Sequence, residues 1–165
     1  MAYVYFDYQD QELQSPTNVF ASILRQLSAR MKDLIPEICA LHKKLNARAT
    51  RPHLFELVYC IIFSSASFLS TYVILDGLDA IDQKLRWQFL DVIRQLSEGS
   101  IKVFATGRSN LNDLFQSIPN IIIIPIRAHI DDLKNYITRE LSQRKLGEKL
   151  EGRLMDKLSM QANGV

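Results

Sequence analysis

Glycine, cysteine and histidine are all scarce in this chain of 165 residues, and each shortage closes off a class of function. The six glycines stand at positions 77, 99, 107, 147, 152 and 164. No spacing among them gives G-x-x-x-x-G-K-[ST], the loop whose backbone amides wrap nucleotide phosphates while its lysine reaches the β and γ positions. A dinucleotide fingerprint is missing for the same reason. Cys39 and His42 have a metal-ligand spacing, but no second ligand pair backs them, so zinc is not expected. Cys39 and Cys60 instead sit inside apolar helical patterns, which predicts buried reduced thiols and a reducing, cytoplasmic setting. A serine or cysteine nucleophile triad also lacks its required residues.

Charge of one sign is scarce too, with a formal net charge of +2 that favours no particular polyanion. Its distribution is uneven: residues 1–24 hold three acids and no Lys or Arg, whereas Arg25 to Arg51 holds seven basic residues against Asp33 and Glu37. Without interleaved aromatics or an overall basic domain, this reads as a solvated helix face and not as a nucleic-acid surface. No basic segment precedes Ala2-Tyr3-Val4-Tyr5-Phe6, so no signal peptide is expected. Leu57 to Leu75 is nineteen residues without a charge, long enough to cross a bilayer. Ser64, Ser65, Ser67, Ser70 and Thr71, and its shift to β-branched residues, predict a helix, a serine-rich turn and a strand instead, with a membrane span as the minor alternative, so no membrane partner is expected.

What the chain does have is an ordinary globular composition, 47% apolar and 23% charged, in a length that suits one domain with a real core. The centre of the pattern is Thr71-Tyr72-Val73-Ile74-Leu75-Asp76-Gly77-Leu78-Asp79. An apolar run without alternation predicts a strand covered on both faces, as in a parallel sheet flanked by helices. It delivers Asp76 and Asp79 to the carboxyl end, where open α/β sheets bind ligands. In P-loop NTPases an aspartate at this point helps hold the Mg²⁺ that bridges the nucleotide phosphates, and Asp76 is the candidate. The plain alternative is an Asp-Gly turn closing a core strand.

The remaining elements follow from periodicity. Tyr3 to Tyr8 predicts a short strand, and the polar run Gln9 to Gln14 a loop. A helix begins at Ser15-Pro16-Thr17, with Ser15 as N-cap and Val19, Ile23, Leu24 and Leu27 on its apolar face. Leu34, Ile38, Leu41 and Leu45 predict a second helix, with Pro36 in its first turn, and Leu54, Leu57, Val58, Ile61 and Ile62 a third. Gln83 to Ser97 predicts a helix closed by Glu98-Gly99, with Trp87 at the edge of its apolar face, and Ile101 to Thr106 a strand. A short helix is expected around Leu111, Leu114 and Phe115, and the four isoleucines Ile121 to Ile124 predict a buried strand. Leu133, Ile137 and Leu141 mark one amphipathic helix, and Leu150, Leu154 and Leu158 mark another after Gly147. Strand, helix, strand repetition gives an α/β sheet with right-handed crossovers.

The order of segments resembles a known family. Tyr5-Phe6-Asp7-Tyr8, Ile23-Leu24-Arg25-Gln26-Leu27, Val73 to Asp79, Val103-Phe104-Ala105-Thr106-Gly107-Arg108, and Asp132-Leu133 with Tyr136-Ile137 look like successive blocks of the NACHT NTPase module. The blocks resemble the nephrocystin-like class, abundant in filamentous fungi, a module of large signal-transducing STAND ATPases that often precedes ankyrin or other repeats. The resemblance implies a P-loop-NTPase-like parallel sheet flanked by helices, missing its first, P-loop, strand. It implies Asp76 as the Walker B magnesium residue, Asp79 as the acid that positions or deprotonates water, Thr106 as a cofactor-binding residue and Arg108 as the sensor of the γ-phosphate. ATP or GTP with Mg²⁺ is the implied cofactor of the intact module, and other protein chains, including copies of itself, the implied partners.

Two local departures bear on hydrolysis. Ala80 stands where the family commonly has another acid, and Thr106-Gly107-Arg108-Ser109 replaces the common Thr-Ser-Arg-Pro. The missing glycine loop would lie upstream of Met1, and Ala162 to Val165 resembles the middle of a family segment. The expectation is therefore a single partial domain, residues 1–165, truncated at both ends, that alone does not bind or hydrolyse nucleotide. A non-catalytic interaction fragment of the same fold, or an unrelated α/β domain, are the alternatives. As a residue-level alternative, Asp79 is simply a helix N-terminal acid and Arg108 a surface residue after a strand.

Overall fold

The computed structural model describes residues 1–108, 111, 115–116, 118–126, 130–143, 154 and 157, and it divides into two units, Met1–Ile121 and Ile122–Val165. The first unit contains the sheet. Strand β1 (Ala2–Tyr5) ends where the Asp7 carboxylate accepts the Gln9 N–H at 2.9 Å and starts a 3-10 turn over Tyr8–Asp10. The strand is thus shorter than its sequence pattern. Helix α1 (Pro16–Ser28) starts as expected: Ser15 accepts the Asn18 N–H at 3.3 Å and Pro16 occupies the first turn, where its missing N–H costs nothing. Helix α2 (Pro36–Arg48) likewise has its proline in the first turn, so Leu34 falls outside the helix. Helix α3 (Leu54–Ser65) opens with the Glu56 carboxylate accepting the His53 N–H at 2.9 Å while also pairing with Lys44.

Strand β2 (Tyr72–Asp76) follows, then helix α4 (Arg86–Glu98) and strand β3 (Lys102–Ala105). The uncharged run from Leu57 therefore divides into a helix, a turn and a strand, and no helix among the described residues is long and apolar enough to cross a membrane. Helix α4 ends at Gly99, where a Cβ would crowd Ile62 at 3.1 Å from both γ carbons, and Ser100 takes the left-handed turn at φ 65°.

All three strands are parallel in the order β1-β2-β3, with Tyr5 level with Asp76 and Leu75 level with Ala105. Strands added always on the same side through right-handed crossovers put every connecting helix on one face. Burial agrees: Ala2, Val73 and Leu75 share one core with Phe20, Ile61 and Phe89 of α1, α3 and α4. Phe89 packs edge-on to Phe6 at 5.4 Å between ring centroids and lies 5.7 Å from Phe20, which ties two helices to the end of β1. Each such buried side chain contributes roughly 1.5–3 kcal/mol.

Two expectations are corrected here. The central strand is not covered on both faces. Val73 and Leu75 are fully buried, Tyr72 and Ile74 only half so, and Tyr3, Tyr5 and Phe104 stand exposed on the same side as Tyr72. Ile121–Ile124 forms no strand: the residues from 121 to 126 are irregular, and Ile122 and Ile124 are 83% and 75% exposed. A strand needs a neighbour to take its N–H and C=O groups, none pairs with this run among the described residues, and Pro125 has no N–H to offer.

The outer edge of β1 is closed by a side chain. Gln26 of α1 accepts the Tyr3 N–H at 3.0 Å and donates its own amide to the Tyr3 carbonyl at 2.8 Å. Cys60 is buried and Cys39 half-buried, and both are free thiols. In the second unit, helix α5 (Ile130–Gln143) carries Asp131 and Asp132 in its first turn, Ile137 buried and Tyr136 exposed. Leu114 and most of the helix expected after Gly147 lie outside the described residues.

Candidate functional site

The carboxyl ends of the three strands meet at a polar cluster. Strand β2 delivers Asp76, and Gly77 then turns the chain at φ 80°, where an added Cβ would also come within 3.2 Å of the Phe6 carbonyl oxygen. Only glycine fits that turn without strain. Residues Leu78–Ala80 form a 3-10 turn whose Leu78 N–H donates to the Thr106 carbonyl at 2.9 Å, while the Thr106 N–H donates to Leu75 at 3.0 Å. Backbone bonds on both sides therefore fix Thr106 beside Asp76.

Two pairs result. In the first, the Thr106 hydroxyl donates to Oδ1 of Asp76 and accepts the Gly77 N–H at 2.9 Å, so one hydroxyl clasps the tips of β2 and β3. In the second, Oδ2 of Asp79 accepts the Tyr8 hydroxyl at 2.5 Å and Nε of Arg108 at 3.1 Å. The Arg108 guanidinium also lies 6.0 Å from the Tyr8 ring centroid. Arg86, at the start of α4, holds the turn from behind by donating to the carbonyls of Asp79 at 3.1 Å and Ile81 at 3.3 Å.

Electrostatics separates the two partners of the second pair. The Asp79 side chain is 12% exposed and that of Arg108 74%. Burial pushes the Asp79 carboxyl up, but the Tyr8 hydroxyl, two backbone N–H groups and the Arg108 charge outweigh it and hold the group below the usual carboxylate range. The same hydrogen bond, with some desolvation and the Asp79 charge, raises the Tyr8 phenol. Leu78, Ile81, Phe89 and Leu111 line a half-open apolar dent that holds none of the residues expected at the site. A wider groove of about 340 Å³ between the start of α3 and α4 holds none of the residues expected at the site.

All four residues singled out in the sequence, Asp76, Asp79, Thr106 and Arg108, lie at this end of the sheet. Sequence reasoning missed Tyr8 and Arg86. For Tyr8 the signal was arithmetic: Tyr5 is level with Asp76, and Tyr8 and Asp79 each follow three residues later. That register is not written in the sequence. Among the described residues no group of three or more His, Cys, Asp or Glu is arranged to hold a metal ion unaided.

These features define a parallel α/β domain with a polar cluster at the carboxyl ends of its strands. The profile of the family described as Nephrocystin 3, N-terminal, matches residues 1–108, a span that takes in all three strands and ends on Arg108. The chain belongs to that family. No curated protein and no solved structure matches the chain at a significant level.

Proposed function

We propose that residues 1–108 carry the Walker B and sensor strands of a NACHT-type nucleotide-binding signalling module. The observation that carries this reading is the pairing of Asp76 with Thr106 and of Asp79 with Arg108 across the ends of adjacent parallel strands. Magnesium in phosphate sites is held by one or two carboxylates together with the phosphates themselves. Asp76 fits that requirement: Oδ1 takes the Thr106 hydroxyl and Oδ2 carries no protein donor among the described residues. When bound, the metal would neutralise phosphate charge, and the chain's own part is to hold the Asp76 carboxylate in place through Thr106. Arg108 supplies a cation on the neighbouring strand for a developing anion.

The chain's 165 residues contain no glycine-rich lysine loop, which supplies most phosphate contacts in such modules. Binding of Mg-ATP or Mg-GTP by this chain alone is therefore weak, and hydrolysis negligible. Calorimetric titration should show no micromolar site. Millimolar Mn-ATP should still broaden the amide resonances of Asp76, Gly77, Thr106 and Arg108, and D76N should abolish that pattern. Broadening scattered over the surface, unchanged by D76N, would sink the reading.

A second reading, a non-catalytic interaction module of the same fold, is favoured by the exposed aromatic side of the sheet at Tyr3, Tyr5 and Phe104. Association with other chains is compatible with both readings.

A further inference from the structure

The Asp79 carboxylate is poorly suited to accept a proton from water. Oδ2 already accepts from Tyr8 at 2.5 Å and from Arg108 at 3.1 Å, and little of the side chain reaches solvent. A general base works best when its affinity for protons lies near the working pH and a lone pair faces the proton to be taken. Arg108 is placed in the opposite way. It spends Nε on Asp79, remains 74% exposed, and its two terminal nitrogens have no partner among the described residues.

We infer that Asp79 and Tyr8 are positioning residues whose joint task is to fix the Arg108 guanidinium, Asp79 by taking Nε and Tyr8 by donating to the same carboxylate oxygen. An arginine tethered through Nε keeps its terminal N–H groups in a planar fork, the geometry that suits a phosphoryl group. Tyr8 adds its ring, with the guanidinium 6.0 Å from the centroid, near the outer limit of a cation–π contact. This role rests on the nucleotide reading above for its ligand, but not for its geometry. It turns the second acid of the turn from a reacting group into a bracket.

The test is the arginine side-chain ¹⁵N spectrum of the whole chain. In the wild type the Nε–H of Arg108 should give a resolved peak protected from solvent exchange. Exchange should be at least about tenfold faster in D79N, the change expected for one lost charge-assisted hydrogen bond. It should also be faster in Y8F, which keeps the ring and loses only the hydroxyl. Equal exchange in the wild type and both variants, with folding unchanged, would overturn the inference. Magnesium tripolyphosphate is then added as the probe. Movement of the terminal nitrogen peaks with the Nε peak retained supports both the bracket and its ligand. A protected, Asp79-dependent Nε peak with no response to the probe supports the bracket while the nucleotide reading fails.

Discussion

The two sides of the sheet are built from similar residues and have opposite fates. On one side Val73 and Leu75 meet α1, α3 and α4 and are sealed from water; on the other Tyr72, Ile74, Tyr3, Tyr5 and Phe104 meet no comparable layer among the described residues. Hydrophobicity did not decide which side was covered, since both carry large apolar groups. Connectivity did: three parallel strands laid down in one direction send every crossover to the same side.

The sharpest way to break this comparison is to truncate one aromatic ring on each side. Phe89→Ala removes a ring that is 1% exposed and contacts both Phe6 and Phe20, and should cost about 3–5 kcal/mol in urea denaturation. Phe104→Ala, at a ring 58% exposed, should stay within about 0.5 kcal/mol. Equal losses would mean that the aromatic side is covered after all.

The next largest effect lies where the strand ends are joined. Thr106→Val keeps the shape of the side chain and removes the hydroxyl that clasps Asp76 and Gly77, and should cost about 1–2 kcal/mol. Gln26→Leu uncovers the Tyr3 backbone and should cost about 1 kcal/mol. It should also raise self-association in light scattering, because a bared strand edge recruits other strands. An unchanged monomer fraction would show that the edge needs no protection.

The smallest effect is electrostatic. Because the folded state lowers the Asp79 carboxyl, its contribution to stability is present above the unfolded value of about 3.9 and is lost as pH falls through the folded value. D79N should flatten that part of the acid limb of the stability curve. Tyr8 works in the other direction: its raised phenol contributes stability below about pH 10 that is lost on further alkalinisation, and D79N should remove that loss as well.

Much of the fold is legible in the sequence for physical reasons that can be named. Pro16 and Pro36 declare helix starts because only a first turn tolerates a missing N–H, and Ser15 does so because its hydroxyl can accept a free first-turn N–H. The strand Tyr72–Asp76, with Asp76 at its tip and Asp79 in the turn after it, is visible from the apolar run and its abrupt end. What the sequence hides is pairing. Ile74 is as apolar as Val73 and Leu75, and Tyr72 presents a large ring, so a one-sided strand looks two-sided. The isoleucines from 121 to 124 look like a strand because side chains advertise β structure, but a strand is made by backbone partners elsewhere. The candidate site divides along the same line. Asp76, Asp79, Thr106 and Arg108 stand out by residue type and place, whereas Tyr8 enters only through the register of β1 against β2.

The Gln26 amide has a consequence for assembly that resembles the chemistry of chain polymers. By presenting one donor and one acceptor to Tyr3, it acts as a terminator: the sheet is given a single amide in place of a further strand, and growth on that side stops at the cost of one side chain. Strand β3 carries no such stopper among the described residues. Among the described residues the sheet thus has one quenched edge and one left open, and a further strand would be expected to add beside β3 and not beside β1.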